Sequence, residues 1–357
     1  MEIIYFFVRF PGKTTKSIMS RIKRTAAVIG MISISVSSIA QNIDSAAKSK
    51  QDSVNFRKKV VAAITDQFAA TRPLNIEYTF TAPYNYKSQR GESTLPSGRL
   101  TSFKQAKVNA NINFIKRKTW ILGTTFGYRY TSTETDIPVT GSTEIKIADD
   151  FHYLFSSLNL VYFSSLLKKR MIYSGSVLVD GSEQHLERLK GIFTGTMVLK
   201  ATKKTKMTVG VLVNIDASAQ SPFIPTFAYE HKFNNGLIAD IALPRSIYLR
   251  KFISTTSRLS VGTELDRTSF YLYNLDGTSQ KYEYRQLDIN SGLSYEQMLG
   301  KYFMLTAKSG VKLTPSGRIF KKEESYADPV YQISPDPSFY FNVGISFNPF
   351  SVFGKKR

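Results

Sequence analysis

The side chains with the clearest chemical potential in this sequence are polar ones on every second position. Lys107, Asn109, Asn111 and Asn113 form one such series, Asn214 and Asp216 a second, and Asp288, Asn290 and Glu296 a third. Arg129, Glu264, Asp266, Lys308 and Lys312 fall on the same kind of position in neighbouring runs. Amides mixed with charges of both signs suit the wall of a water-filled passage, which carries hydrated solutes and screens ions without one dominating sign. Sets for covalent chemistry are sparse. A lipid hydrolase needs a nucleophile, a His base and an orienting group within hydrogen-bond reach. The three histidines, His152, His185 and His231, are far apart, and "FHYLFSS" around Ser156 and Ser157 has no nucleophile-elbow pattern. There is no glycine-rich phosphate loop before a helix, no metal-spaced carboxylate cluster and no HExxH. The sequence therefore assigns no catalytic residue, no metal and no cofactor, and an enzyme is not expected.

A face made of every second side chain belongs to a β-strand. "FKQAKVNANINFIKRKTWILGTTFGYRY" (103–130) sets Ala106, Val108, Ala110, Ile112 and Phe114 against the amide series, and Leu287, Ile289, Leu293 and Tyr295 oppose the third series. Alternating runs between Arg72 and Asn348 predict fourteen strands, or twelve if the short pair around Pro244 is not counted. Compact turns at 116–118, 164–169, 202–206, 234–236, 254–257 and 299–301 alternate with longer polar loops near 83–100, 131–150, 181–190, 217–222, 274–280 and 314–337. That rhythm is the signature of a closed antiparallel up-and-down transmembrane β-barrel. The runs reach the ~9–11 tilted residues that cross a bilayer, longer than the ~5–6 of soluble sandwiches. Rings near strand ends, such as Trp120, Tyr128, Tyr130, Tyr162, Phe163 and Tyr295, suit membrane–water interfaces.

Charge is distributed to match. The chain has 48 Lys and Arg against 27 Asp and Glu, a formal net charge of +21, and no Cys. The cations gather at the short turns: Lys116, Arg117 and Lys118; Lys168, Lys169 and Arg170; Lys203, Lys204 and Lys206; and Arg250, Lys251 and Arg258. Acids such as Glu92, Glu134, Asp149, Asp150, Glu183 and Asp276 lie in the longer connections. The excess is thus read as a basic rim facing the periplasm and its anionic headgroups, not as a nucleic-acid surface.

Four segments are expected. Residues 1–40 read as a signal peptide, with a start at Met19, cations at Arg21, Lys23 and Arg24, an apolar run and a small-x-small end at Ala40. Residues 41–71 read as a periplasmic linker and a short amphipathic helix, from Val54, Val61, Ile64 and Phe68. Its expected role is a plug, a docking helix or a mobile extension, and Arg72-Pro73 ends it. Residues 72–353 read as the barrel and 354–357 as a basic tail.

With its leader, its alternating strands and its last run "SFYFNVGISFNPF", the chain resembles Gram-negative outer-membrane β-barrel proteins, in particular those families of unknown function. The resemblance implies an outer-membrane location, contact with outer-membrane lipids, and recognition of the final strand by the barrel-assembly machinery. Phe339, Phe341, Val343, Ile345 and Phe347 match that assembly signal, although ten residues follow Phe347 and Phe350 or Phe353 offers another terminal aromatic. The leading functional expectation is a pore or transport barrel for small solutes. A structural or adhesive barrel acting through long loops comes second, and a lipid-modifying enzyme third.

Overall fold

The computed structural model describes residues 56–353 apart from 140–142, 217, 276, 278 and 352. The expected leader, the first part of the linker and the basic tail lie outside the described residues. A helix, α1, covers residues 56–67, and a 3-10 turn over Ala69–Thr71 follows it.

The sheet begins with β1 (Leu74–Thr81), β2 (Tyr84–Arg90), β3 (Ser93–Thr94) and β4 (Gly98–Lys116). It continues through β5 (Trp120–Val139), β6 (Thr143–Leu166), β7 (Lys169–Gly181), β8 (Leu186–Ala201) and β9 (Thr205–Ile215). Three shorter strands follow, β10 (Phe223–Lys232), β11 (Leu237–Leu243) and β12 (Ser246–Phe252). The last are β13 (Ser257–Tyr273), β14 (Lys281–Leu299), β15 (Phe303–Lys321), β16 (Tyr331–Pro335) and β17 (Ser338–Phe347). β1 and β2 are halves of one stave, as are β16 and β17, and β3 is a scrap on the β2 edge. The result is a closed antiparallel barrel of fourteen staves, shut where Leu74 faces Phe347 and Phe80 faces Phe341. Closure satisfies the backbone of the first and last staves, which an open sheet leaves bare.

Alternation decides what points where. Phe341 is 49% exposed while its neighbour Tyr340 is 6% exposed. The same split runs along β1, where Leu74, Ile76, Tyr78 and Phe80 face out and Asn75, Glu77 and Thr79 face in. Exposed Leu, Ile, Val and Phe continue round the outside, among them Ile112, Leu158, Phe193, Ile247 and Leu293. This apolar belt far exceeds the scattered apolar residues of a water-soluble surface.

The segments read from sequence as long loops at 83–100, 131–150 and 314–337 are largely strand. They are the upper parts of β2, β4, β5, β6, β15 and β16, which carry the wall beyond the belt. Their Thr, Ser and acidic residues hid a ladder that runs without break to Val139 opposite Thr143.

One part of the wall leaves the ring. β12 pairs with β13 only as far as Ser246 opposite Glu264. Beyond Leu265, β13 stays paired with β14 up to Tyr273 opposite Lys281. Thr268–Tyr273 and Tyr282–Gln286 are buried on both faces, which a ribbon in a barrel wall cannot be. This upper hairpin parts from β12 but stays laddered to β15, from Leu287 opposite Ser316 to Tyr282 opposite Lys321, and leans inward to stack on β6, with Phe151 and Phe270 ring centres 4.0 Å apart. The bend starts where Gly262, Gly292 and Gly310 share one register row across β13, β14 and β15. A Cβ on Gly292 would sit 2.1 Å from the Ser309 carbonyl oxygen, and one on Gly310 2.0 Å from that of Ser291. Only glycine permits so tight a crease on the concave side.

Candidate functional site

The interior holds two chambers. The lower, toward the short turns, has a volume of about 180 Å³ and polar walls. Inward positions on non-adjacent strands meet across it: Lys107 Nζ is 2.5 Å from Asp266 Oδ2, linking β4 to β13, and Lys308 Nζ is 2.5 Å from Glu264 Oε1. Lys312 lies 3.6 Å from Asp288. Asn109, Asn290 and Glu296 line the same space, as does Arg129, whose Nη1 donates to the Arg267 carbonyl at 2.5 Å. Of the other sequence-predicted lining residues, Asn111 donates to the carbonyls of Ala70 and Arg72 at 2.8 and 2.7 Å. Asn214 and Asp216 sit at the loop end, Asn214 donating to the Ser221 carbonyl. Asn113 is exposed at the turn-end rim, outside the chamber.

The N-terminal segment shuts the turn end. At one end of α1, Phe56 packs on Phe163 and lies under the Arg170 guanidinium, 4.3 Å from its ring centre. At the other end, Gln67 Nε2 donates to Asp240 Oδ1 at 2.5 Å, and Asn348 reaches Asp66. A twelve-residue helix is ~18 Å long, which suits a bolt across a barrel mouth. The bolt is fixed by a buried charge cluster. Arg72 donates to Glu296 Oε1 at 2.8 Å, to Ser346 Oγ at 2.8 Å and to the Thr65 carbonyl at 2.9 Å. Arg258 takes the other Glu296 oxygen, with Nε at 2.8 Å, and also donates to the Asp66 carbonyl. Arg250 forms an ion pair with Asp240 at 2.8 Å and stands 4.0 Å from Glu296. After β17 the chain tucks beneath this cluster, and Phe353 packs on Phe252, Met298 and Met304.

The folded-in hairpin shuts the loop end. Its outer face is latched by charge: Tyr271 Oη donates to Asp180 at 2.9 Å, Lys281 bonds Glu187 at 2.9 Å, and Arg188 forms an ion pair with Glu283 at 3.1 Å. Arg285 bonds Glu283 and donates to the Ser218 carbonyl, each at 2.6 Å. Its inner face is apolar and forms the wall of the upper chamber, about 120 Å³, between Phe270, Leu272 and Tyr284 on one side and Tyr84, Phe151 and Ile319 on others. Phe103, 4% exposed, lines both chambers and so stands between them, with Lys312 Nζ 4.4 Å from its ring centre.

The remaining sequence-predicted residues are placed as follows. Lys116, Arg117, Lys118, Lys168, Lys169, Arg170, Lys203, Lys204 and Lys206 are all exposed at the turn end. Arg250 and Arg258 are not part of that rim, as their turn-like surroundings suggested. They are 5% and 6% exposed and belong to the Glu296 cluster. Phe339, Phe341, Val343, Ile345 and Phe347 share the outward face of β17. His152 Nδ1 lies 2.8 Å from Tyr128 Oη on the outer wall, and Tyr130 donates to Asp150, so this histidine serves an aromatic girdle. Arg72, read only as the end of a helix, is the residue that sequence reasoning missed most. A signal was available in the arginines at 250 and 258, which keep step with the inward Tyr248 and Ser260.

No curated protein matches the sequence. Among solved structures, the chain is similar to the COG4313 outer membrane channel from Pseudomonas putida F1, at 9% identity over 77% of this chain and 94% of that one, with a TM-score of 0.34. It is also similar to the transport unit of the autotransporter AIDA-I from Escherichia coli, at 8% identity over 84% and 98%, TM-score 0.30. A third is Pseudomonas aeruginosa OccK7 (OpdD), at 9% identity over 76% and 98%, TM-score 0.24. Sequence places it more firmly: with residues 63–348 matched, the chain belongs to the family described as Domain of unknown function (DUF6268).

Proposed function

We propose that this protein sits in an outer membrane and passes small solutes through a lumen that is closed at rest at both ends. The apolar belt favours hydrocarbon outside, and lipids are its constant partners. The basic turn end is assigned to the periplasm and the β17 aromatics to the assembly machinery. The observation that carries the transport reading is the charged, polar chamber held between α1 with Arg72 below and the inward-leaning β13–β14 hairpin above. Plugged barrels also have polar interiors, so the support lies in the open volume of about 180 Å³ left among these ion pairs.

Single-channel recording in planar bilayers tests this. The full-length barrel is expected to be silent or to open rarely, and a variant lacking both closures, with residues 56–71 deleted and 268–286 replaced by a short turn, to give stable ionic steps. Silence from both, with the barrel folded, would leave the structural reading in its place. Orientation is tested separately by labelling intact cells that carry Lys204→Cys or Glu183→Cys. Reaction at position 204 would reverse the assignment.

A further inference from the structure

The two chambers are built for different contents. The polar one has acid and base on every side. Around the upper one, among the described residues, no Asp, Glu, Lys or Arg lines the wall. That is a sharp local departure in a chain with 48 basic and 27 acidic residues. Rings dominate the lining: Tyr84, Phe103, Phe151, Phe270, Tyr284 and Tyr331. Three of them already form a stack. Phe151 and Phe270 are 4.0 Å apart at an interplanar angle of 11°, and Phe270 and Tyr284 are 4.8 Å apart at 29°. The Gln286 amide and, of the four phenols in the wall, that of Tyr284 are engaged with the protein. Tyr284 Oη donates to Gln286 Oε1 at 2.5 Å, and Gln286 Nε2 donates to Asp288 Oδ1 at 2.6 Å.

From this we infer that the upper chamber is a binding site for a neutral, flat compound of a single ring. Resting on the transport reading, it names the class of solute that reading leaves open. Size sets the limit: a dry, apolar cavity of roughly 150 Å³ accommodates benzene, and this one, at about 120 Å³, has room for no more than a single small ring. Chemistry agrees as well. Offset or edge-on contact with facing rings stabilises an aromatic guest beyond simple burial. An ion would lose its hydration and find no counter-charge in the wall, so charged analogues are excluded. The chamber lies on the loop-end side of Phe103, so a solute entering from that end meets the selective site before the polar passage.

The test uses the full chain in lipid nanodiscs, with empty nanodiscs of the same lipid as the blank, and equilibrium dialysis of phenol and benzoate. Saturable binding of one phenol per barrel is expected, with at least about tenfold weaker binding of the anion. Thr135→Glu puts a carboxylate into the same wall and is expected to weaken phenol binding by about tenfold or more, provided that the barrel keeps its folded gel mobility. If that variant does not fold, the phenol-to-benzoate ratio of the unaltered chain decides alone. Binding no greater than in empty discs, or equal binding of both compounds, overturns the inference. Flux into liposomes is measured separately. Saturable binding without flux leaves the site standing and sinks the transport reading, and flux of hydrophilic solutes without phenol binding does the reverse.

Discussion

Glu296→Gln is the most informative single change. Glu296 accepts from Arg72 at 2.8 Å and from Arg258 at 2.8 Å, and Arg250 is 4.0 Å away. The Arg72 and Glu296 side chains are 1% and 7% exposed, so water offers almost no screening. The amide keeps the shape of the carboxylate but removes the charge, and three buried guanidinium groups then share one region with Asp240. Breaking a buried pair by neutralising one member costs about 3–5 kcal/mol. Arg72 keeps its bonds to Ser346 and Thr65, so we assign ~3 kcal/mol to docking of the N-terminal segment, which at ~1.4 kcal/mol per decade is roughly a hundredfold rise in the undocked fraction. The chain has no cysteine, so Thr65→Cys is a single reporter, and Thr65 is 4% exposed on the docked helix. Maleimide labelling of that cysteine through transient opening is expected to accelerate by roughly two orders of magnitude when Glu296→Gln is added. Arg72→Met should act in the same direction. Labelling within about threefold of the parent, with the barrel still heat-modifiable on gels, would refute the idea that this cluster is the bolt.

Other outcomes are equally specific. Val343→Arg puts a charge on the outward face of β17 and is expected to cost ~2–4 kcal/mol in denaturant unfolding from lipid vesicles, whereas inward Asn342→Ser should cost under about 1 kcal/mol. Phe103→Ala removes the ring between the chambers and is expected to raise unit conductance in the variant lacking both closures; unchanged conductance would show that the constriction lies elsewhere. Asp149 lies beyond the belt on β6, and burial, aided by repulsion from Asp150, pushes its carboxyl up to about 6. A raised carboxyl binds its proton more tightly when folded, so stability falls as pH rises from about 4 to about 6 and then levels. Asp149→Asn is therefore expected to slow amide exchange in the upper β5–β6 hairpin above pH 6. With solvent screening the gain is on the order of 1 kcal/mol, and it should vanish near pH 4.

The ring of staves was legible from sequence because period two survives wherever one face meets lipid and the other meets polar groups. Even the short pair about Pro244 appears as β11 and β12. Legibility failed where that contrast fails. Above the belt both faces carry polar side chains, the inward Thr131, Thr133 and Thr135 being buried, so Thr131–Thr135 looked like loop although it pairs throughout with β6. In the folded-in hairpin both faces are buried, so "TSFYLY" (268–273) gave no hint that it leaves the wall. Single positions such as Lys107 and Asp266 were placed inward by alternation, but their meeting across the lumen depends on curvature, which one strand's pattern does not encode. Arg72 and Glu296 are 224 residues apart in sequence, and nothing local announces their bond.

Pairing of the first stave with the last has a consequence in time. Leu74 meets Phe347 only after everything between them has been made and laid side by side. Until then the growing sheet has two bare edges, each offering rows of amides and carbonyls to any passing strand. No half-built version is self-sufficient, and removal of β17 strands β1 as surely as it removes β17 itself. Such a molecule matures in one terminal step, and a cell that makes it must shelter the unfinished ribbon until its two ends find each other.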